Sequence, residues 1–224
     1  MFRYLLPTCT LLASLLYSDS VDMPPAFEST VAPITAEILE QMSFSWKDNN
    51  PVPLEDLRYV VVSHWGFDDR VHQGCLIVHE KVADEVVEIF NEIFDGGFPI
   101  EKMTLVDNYQ GVDEVSAQDN NSYSFCSREI TGMKGTFSKH SYGLAIDLNP
   151  LYNPYQRGDL LVPQTAGAYL DRSIVGKGTI NPSTACYQAF VKRGWDWGGS
   201  WGATRGYGDY HHFEKHPDKV LKAG

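Results

Sequence analysis

The segment Ser138-Lys-His140-Ser-Tyr-Gly143-Leu-Ala145-Ile-Asp147 sets an imidazole and a carboxylate on either side of a short apolar run. Read as a strand from Gly143 to Leu148, its side chains alternate between faces. Leu144, Ile146 and Leu148 share one face and suit a core, while Gly143, Ala145 and Asp147 share the other. Two small residues in front of a carboxylate leave room for something bulky, and a turn can fold His140 over the same room. A His and an Asp converging there make half of a metal site. The competing reading is an Asp that ends a strand near an unrelated surface His.

A second half lies near the C-terminus, in Asp209-Tyr-His211-His212-Phe-Glu214. One of these imidazoles would complete a set of two His and one carboxylate, the open zinc arrangement with water in the fourth position. Zinc lowers the pKa of such a water to about 7, and a neighbouring carboxylate can take its proton and pass it to a leaving amine. Asp209 is the candidate for that role. Strand parity raises an objection, because it places Asp209 with His211 rather than His212. If His212 is the ligand, the backbone must bend near Tyr210, and Gly206 and Gly208 permit a bend. The competing reading is an exposed His pair. His64, His72, His79 and His216 read as structural or surface residues.

These groups need elements to hold them. Leu57–Ser63 is β-branched and predicts a buried strand, and Gly74–Val78 predicts another. Lys81–Phe94 is the clearest helix, with Val82, Val86, Ile89, Phe90 and Ile93 on one face and Asp84, Glu85, Glu88 and Glu92 largely opposite; Gly96 and Gly97 end it. Met103–Val106 reads as a short strand, Asp107–Ser122 as turn-rich, and Asn149–Lys177 as a long loop. Asn181 as N-cap and Pro182 at the first helical position predict a helix to about Arg193, stopped by Gly194. Gly206–Glu214 reads as the last strand. Without a regular βαβ rhythm the class is α+β: one domain over 57–224, a small, mostly antiparallel sheet carrying the zinc site, and helices packed on one side. Residues 21–56 read as an extended leader lying over the domain, with a short helix near Ile34–Met42.

The chain has 224 residues, with 18 Lys and Arg against 29 Asp and Glu, for a formal charge of −11. That balance argues against nucleic-acid binding and against electrostatic adhesion to anionic surfaces. Residues 1–20 read as a secretory signal: Arg3, an apolar run from Leu5 to Leu16, then small Ser18 and Ser20 before Val21. The competing reading is an uncleaved anchor; no later segment approaches the ~20 apolar residues of a membrane span. Cleavage removes Cys9 and leaves Cys75, Cys126 and Cys186, two of which an exported protein can pair, with no sequence signal for which. No CxxC is present, which argues against a four-thiolate zinc site. The expectation is a monomer, secreted, periplasmic or in the cell envelope.

Both motifs resemble those of the zinc D-alanyl-D-alanine carboxypeptidases and dipeptidases of bacterial cell-wall metabolism, whose relatives include phage endolysins that cut the L-Ala–D-Glu bond. The family pattern, S-x-H-x-x-G-x-A-x-D followed later by an acid, two residues and a His, is met by Ser138–Asp147 and Asp209–His212. Asn120–Arg128, Asn149-Pro150, Asn153–Tyr155 and Gly194–Trp201 resemble one branch, so the likeness runs from about Val60 to Glu214. It implies His140, Asp147 and His212 as zinc ligands and Asp209 as base, where much of the family has Glu. It implies Arg128 as the residue that holds a substrate carboxylate or the oxyanion, against a structural Arg paired with an acid; here Cys126 stands two before it, where the branch has Cys directly before the Arg. Ser138 would support the site by hydrogen bonding. Trp195, Trp197 and Trp201 either wall a substrate cleft, with Trp197 the candidate contact, or belong to the core. The implied activity is hydrolysis of peptidoglycan stem peptides or other D-amino-acid peptides on a fold shared with the Hedgehog signalling domain. The alternatives are a non-catalytic zinc-containing module on that scaffold and a metal-free interaction protein.

Overall fold

A computed structural model describes residues 25–130 and 133–222. The expected signal segment and Cys9 lie outside the described residues. Strand β1 (Ser29–Pro33) falls in the stretch read as a leader and is followed by helix α1 (Ala36–Gln41). β2 (Leu57–Trp65) and β3 (Val71–His79) form a long antiparallel hairpin, each extending beyond the predicted strand, and β1 pairs with the outer edge of β2. Val60, Val62, Leu76 and Val78 point to one face of this sheet. Helix α2 (Glu80–Asp95) lies across them through Val82, Val86, Ile89, Phe90 and Ile93, the face its periodicity predicts. Burying each such side chain is worth about 1.5–3 kcal/mol. Leu57 and Ile77 point the other way and meet Met42, Val52, Leu105 and Phe125, with Ile38 of α1 packed against them. The expected packing of helices on one side holds for α2, while α1, in the stretch read as a leader, packs on the opposite face.

Past α2, the predicted strand Met103–Val106 shrinks to β4 (Lys102–Met103), and a 3-10 turn follows at Val106–Tyr109. The Asn121 side chain takes the Thr104 N–H at 2.9 Å and ends the ladder there. The expected turn-rich stretch contains helix α3 (Asp113–Gln118), and β5 (Asn121–Ser122) runs parallel to β4. β6 (Glu129–Ile130) and β7 (Met133–Phe137) pair as an exposed antiparallel ribbon. β8 (Ala145–Asp147) then carries the core residues Leu144, Ile146 and Leu148 at and beside it, all fully buried on the predicted face.

The expected loop 149–177 holds the hairpin of β9 (Tyr155–Arg157) and β10 (Leu160–Val162) and a 3-10 turn at Gln164–Tyr169. Helix α4 (Ala185–Val191) starts later than predicted. Asn181 instead makes an Asx turn, accepting from the Ser183 N–H at 2.9 Å, and Thr184 is the N-cap, accepting from the Tyr187 N–H at 3.3 Å. The expected last strand divides into β12 (Gly208–Asp209), which pairs with β9, and β13 (His212–Glu214), which pairs with β8 and with β11 (Asp196–Trp197). The class is α+β, as read from the sequence: small sheets with helices. Cys75, Cys126 and Cys186 are all free, so the pairing open to an exported chain is not formed among the described residues. No helix among the described residues is long and apolar enough to cross a membrane.

Candidate metal centre

His140 sits in a 3-10 turn, Lys139–Tyr142. Ser138 begins this turn by accepting the His140 N–H at 3.3 Å, and Gly143 ends it in the left-handed region at φ 65°. The Gly143 carbonyl then accepts the His79 N–H at 2.9 Å, which docks the turn onto the end of β3. Gly143 is small for this close approach, a correction to the expectation that it leaves room for a ligand: a Cβ here would lie 2.5 Å from His79 N. The Ser124 carbonyl takes the Nδ1–H of His140. Nε2 is left facing Asp147, 3.2 Å from Oδ2.

Asp147 and His212 are direct cross-strand partners on β8 and β13. Their side chains meet at 2.8 Å, His212 Nδ1 to Asp147 Oδ1. Glu214, two residues along β13 and so on the same face, lies 3.1 Å from His212 Nε2. Each of His140, Asp147 and His212 is buried, and each offers one ligand atom within 4.8 Å of the other two. Two imidazoles and a carboxylate, with the second nitrogen of each ring held by an oxygen, are the donor set and outer support that a zinc ion requires.

Asp209 stands at the end of β12. The chain turns through Tyr210 and His211, which bond to Pro154 O and Leu148 N instead of continuing a ladder. A bend near Tyr210, which the sequence requires only if His212 is the ligand, is present, and Asp209 lies beside His211. His211 Nε2 lies 2.9 Å from Asp209 Oδ1 and 3.8 Å from Asp147 Oδ2. Its Nδ1 is held at 2.7 Å by the Asn153 carbonyl. Asp209 Oδ1 is buried, and beyond this ion contact to His211 no other residue among those described hydrogen-bonds it.

The charges are strongly linked. Burial works against ionising Asp147, but His140, His211 and His212 outweigh it and hold the carboxyl well below its usual range. Burial likewise opposes charge on His212, and Asp147 and Glu214 reverse that, pushing it well above the ordinary imidazole value. His211 is pushed up to about 9 by Asp209 and Asp147 against its own burial. Glu214 is lowered by His212 despite burial. Asp147, Glu214, His140, His211 and His212 are thus buried together, with half-buried Asp209 at their edge.

The Arg128 guanidinium is 2.8 Å from the Asp113 carboxylate, so the acid pairing weighed against a substrate role is present. Trp197 is buried and donates to Tyr210 O at 2.9 Å, bracing the bend; Trp195 is buried and donates to Glu85. Trp201, also buried, is the tryptophan beside the cluster, with ring centroids 5.5 Å from His212. No sequence motif marks Tyr123, whose ring lies flat on His140 at 5.0 Å and 18°, or Asp113. Glu214 as the support of His212 was open to discovery from strand parity alone.

Residues 131–215 match a family model described as D-alanyl-D-alanine carboxypeptidase. This bears out the resemblance carried by the motifs. The matched stretch contains Ser138, His140, Asp147, Trp197, Asp209 and His212, and begins three residues after Arg128. It supports a hydrolase of the metallopeptidase and carboxypeptidase type. No curated protein and no solved structure matches the chain.

Proposed function

We propose that the chain is an exported zinc metallopeptidase that hydrolyses peptide bonds in peptidoglycan stem peptides, as a D,D-carboxypeptidase or an L-Ala–D-Glu endopeptidase. The observation that carries this reading is the convergence of His140, Asp147 and His212 to within 4.8 Å in a buried cluster beside Asp209. The family match supports the substrate class. The same reading assigns the chain the scaffold of those peptidases and of the Hedgehog signalling domain, and places its action in the cell envelope or outside the cell.

His140, Asp147 and His212 would hold the ion. Zinc held there supplies Lewis acidity and a water that ionises near neutral pH. Asp209 receives the proton on its carboxylate and returns it to the leaving amine. Glu214 holds the far nitrogen of His212, and the Ser124 carbonyl holds that of His140, so neither ring turns away from the site. Arg128 binds the substrate carboxylate or the oxyanion. Ser138 fixes the His140 turn, and Trp197 acts through the bend it braces.

The experiment is digestion of purified sacculi with the zinc-loaded chain and mass spectrometry of the soluble fragments. Released D-Ala identifies the carboxypeptidase, and free L-Ala termini the endopeptidase. Stoichiometric zinc with intact sacculi and intact stem peptides would refute the peptidase and leave a non-catalytic zinc module.

A further inference from the structure

Asp113 lies in the first turn of α3, outside the stretch matched by the family model. Its carboxylate holds two groups at once. Oδ1 accepts the Tyr123 hydroxyl at 3.0 Å, and Oδ2 faces the Arg128 guanidinium at 2.8 Å. Both partners lead into the metal centre. The ring of Tyr123 stacks on His140, and its backbone exchanges hydrogen bonds of 3.1 and 2.9 Å with Asp147. The backbone of Arg128 is tied to the His140 turn at two points: its N–H donates to Ser141 Oγ at 2.9 Å, and its carbonyl accepts from Ser138 N at 3.0 Å. Main-chain contacts therefore fix where Arg128 starts, and Asp113 fixes where its side chain goes. Arg128 Nε is buried without a hydrogen-bond partner among the described residues. A buried guanidinium N–H without an acceptor is costly, and an incoming oxygen would remove that cost.

We propose that Asp113 is a positioning residue: it locks the Arg128 guanidinium so that the unpartnered Nε–H is held ready for an oxygen of a peptide substrate, a carboxylate or the developing oxyanion. The proposal rests on the peptidase reading above and deepens it by naming what aims the arginine. A carboxylate suits this task because it offers separate acceptor oxygens to Tyr123 and Arg128 while balancing the arginine charge. A purely structural Asp113 would instead serve only to hold α3 against Tyr123.

A double-mutant cycle separates the two, using the full zinc-loaded chain and a defined stem-peptide fragment. The variants are Asp113→Ala, Arg128→Ala and the double substitution, with Asp113→Asn as the conservative change. Zinc content and melting temperature are checked for each. In parallel, calorimetry measures binding of the same peptide to chains that also carry Asp209→Ala, which reports on contact without turnover. Each single change should lower kcat/KM by about 100-fold, the scale of one oxyanion or carboxylate donor. The double should be no worse than the worse single, Asp113→Asn should recover part of the loss, and zinc content should stay at wild type. Losses that multiply in the double variant would overturn the proposal, as would an Asp113→Ala chain with unchanged kcat/KM. If the wild-type chain turns over and the losses multiply, the positioning role alone has failed. A wild-type chain that binds zinc and cleaves no stem peptide removes the peptidase reading and this proposal with it.

Discussion

Replacing Gly143 by Ala tests how the fold places His140. Gly143 has φ 65°, where an L side chain costs about 1–2 kcal/mol. A Cβ there would also lie 2.5 Å from His79 N and 2.9 Å from Val78 C. Both are backbone atoms at the junction of β3 and α2, so no rotamer change relieves the overlap. Either the turn backs away or the end of β3 does, at about 1–3 kcal/mol for overpacking. Retreat also weakens the His79 N–H to Gly143 O bond, worth about 1 kcal/mol net. The sum is about 3–6 kcal/mol, which for a chain of this length lowers the melting temperature by roughly 10 °C. Gly97→Ala is the control: its φ is 64°, yet nothing lies within 4 Å of its would-be Cβ. It should pay only the backbone cost of about 1–2 kcal/mol. Denaturant titration of both variants, read as two-state transitions, gives the comparison. Zinc affinity by chelator competition should fall for Gly143→Ala alone, since His140 moves with the turn. Equal destabilisation by the two substitutions would refute the steric argument, and full zinc affinity in Gly143→Ala would refute the link from that contact to the metal centre.

Further outcomes follow from the site. His140→Ala should lose zinc and turnover together, whereas Asp209→Ala should keep zinc in metal analysis and lose turnover by ~10²–10⁴-fold, the usual scale of general base catalysis; an active Asp209→Ala chain would end its assignment as base. Glu214→Gln should weaken zinc about 10–100-fold, as loss of a carboxylate behind a ligand imidazole does, and unchanged affinity in a chelator titration would show that Glu214 does not support His212. His64 and His79 are both lowered by burial, so near pH 6 the unfolded chain binds protons that the folded chain does not. Their contribution is complete above the unfolded value of about 6.5 and is lost as pH falls through the window below it. His79 is also the N-cap of α2, accepting the Lys81 N–H through Nδ1 at 3.1 Å, a bond that protonation destroys. His79→Asn keeps a capping side chain without the titration, so melts between pH 5 and 6.5 should slope less than those of wild type; equal slopes would exclude His79 as a source.

What could be read from the sequence, and what could not, divides along the range of the interactions. The alternation of Leu144, Ile146 and Leu148 against Ala145 and Asp147 is local, since a strand with one buried face enforces period two, and the structure keeps it. The bend at Tyr210 was legible for the same reason: a base candidate at Asp209 and a ligand candidate at His212 have opposite parity and cannot share one face of a straight strand. Gly143 was misread because a sequence displays a missing side chain but not what takes its place, and here that is the backbone of His79. Asn181 was misread as a helix cap because the same side chain can close an Asx turn one step earlier, and only the packing of α4 selects between them. Asp113 and the Ser124 carbonyl have no local signature at all, because their roles arise from segments that meet only when the chain is folded.

That division bears on which groups govern the metal centre. His140, Asp147 and His212 arrive on a 3-10 turn and two paired strands, and the cross-strand register alone brings Asp147 opposite His212. Register sets position along the strands, but the rotation of each ring depends on the group behind it: Glu214 for His212, the Ser124 carbonyl for His140. The Ser124 support is backbone and survives any substitution of its side chain, whereas Glu214 can be removed by mutation. His212 is therefore the proposed ligand whose orientation is exposed to mutation from behind, and Glu214 is the substitution that should loosen the ion while leaving all three proposed ligand residues intact.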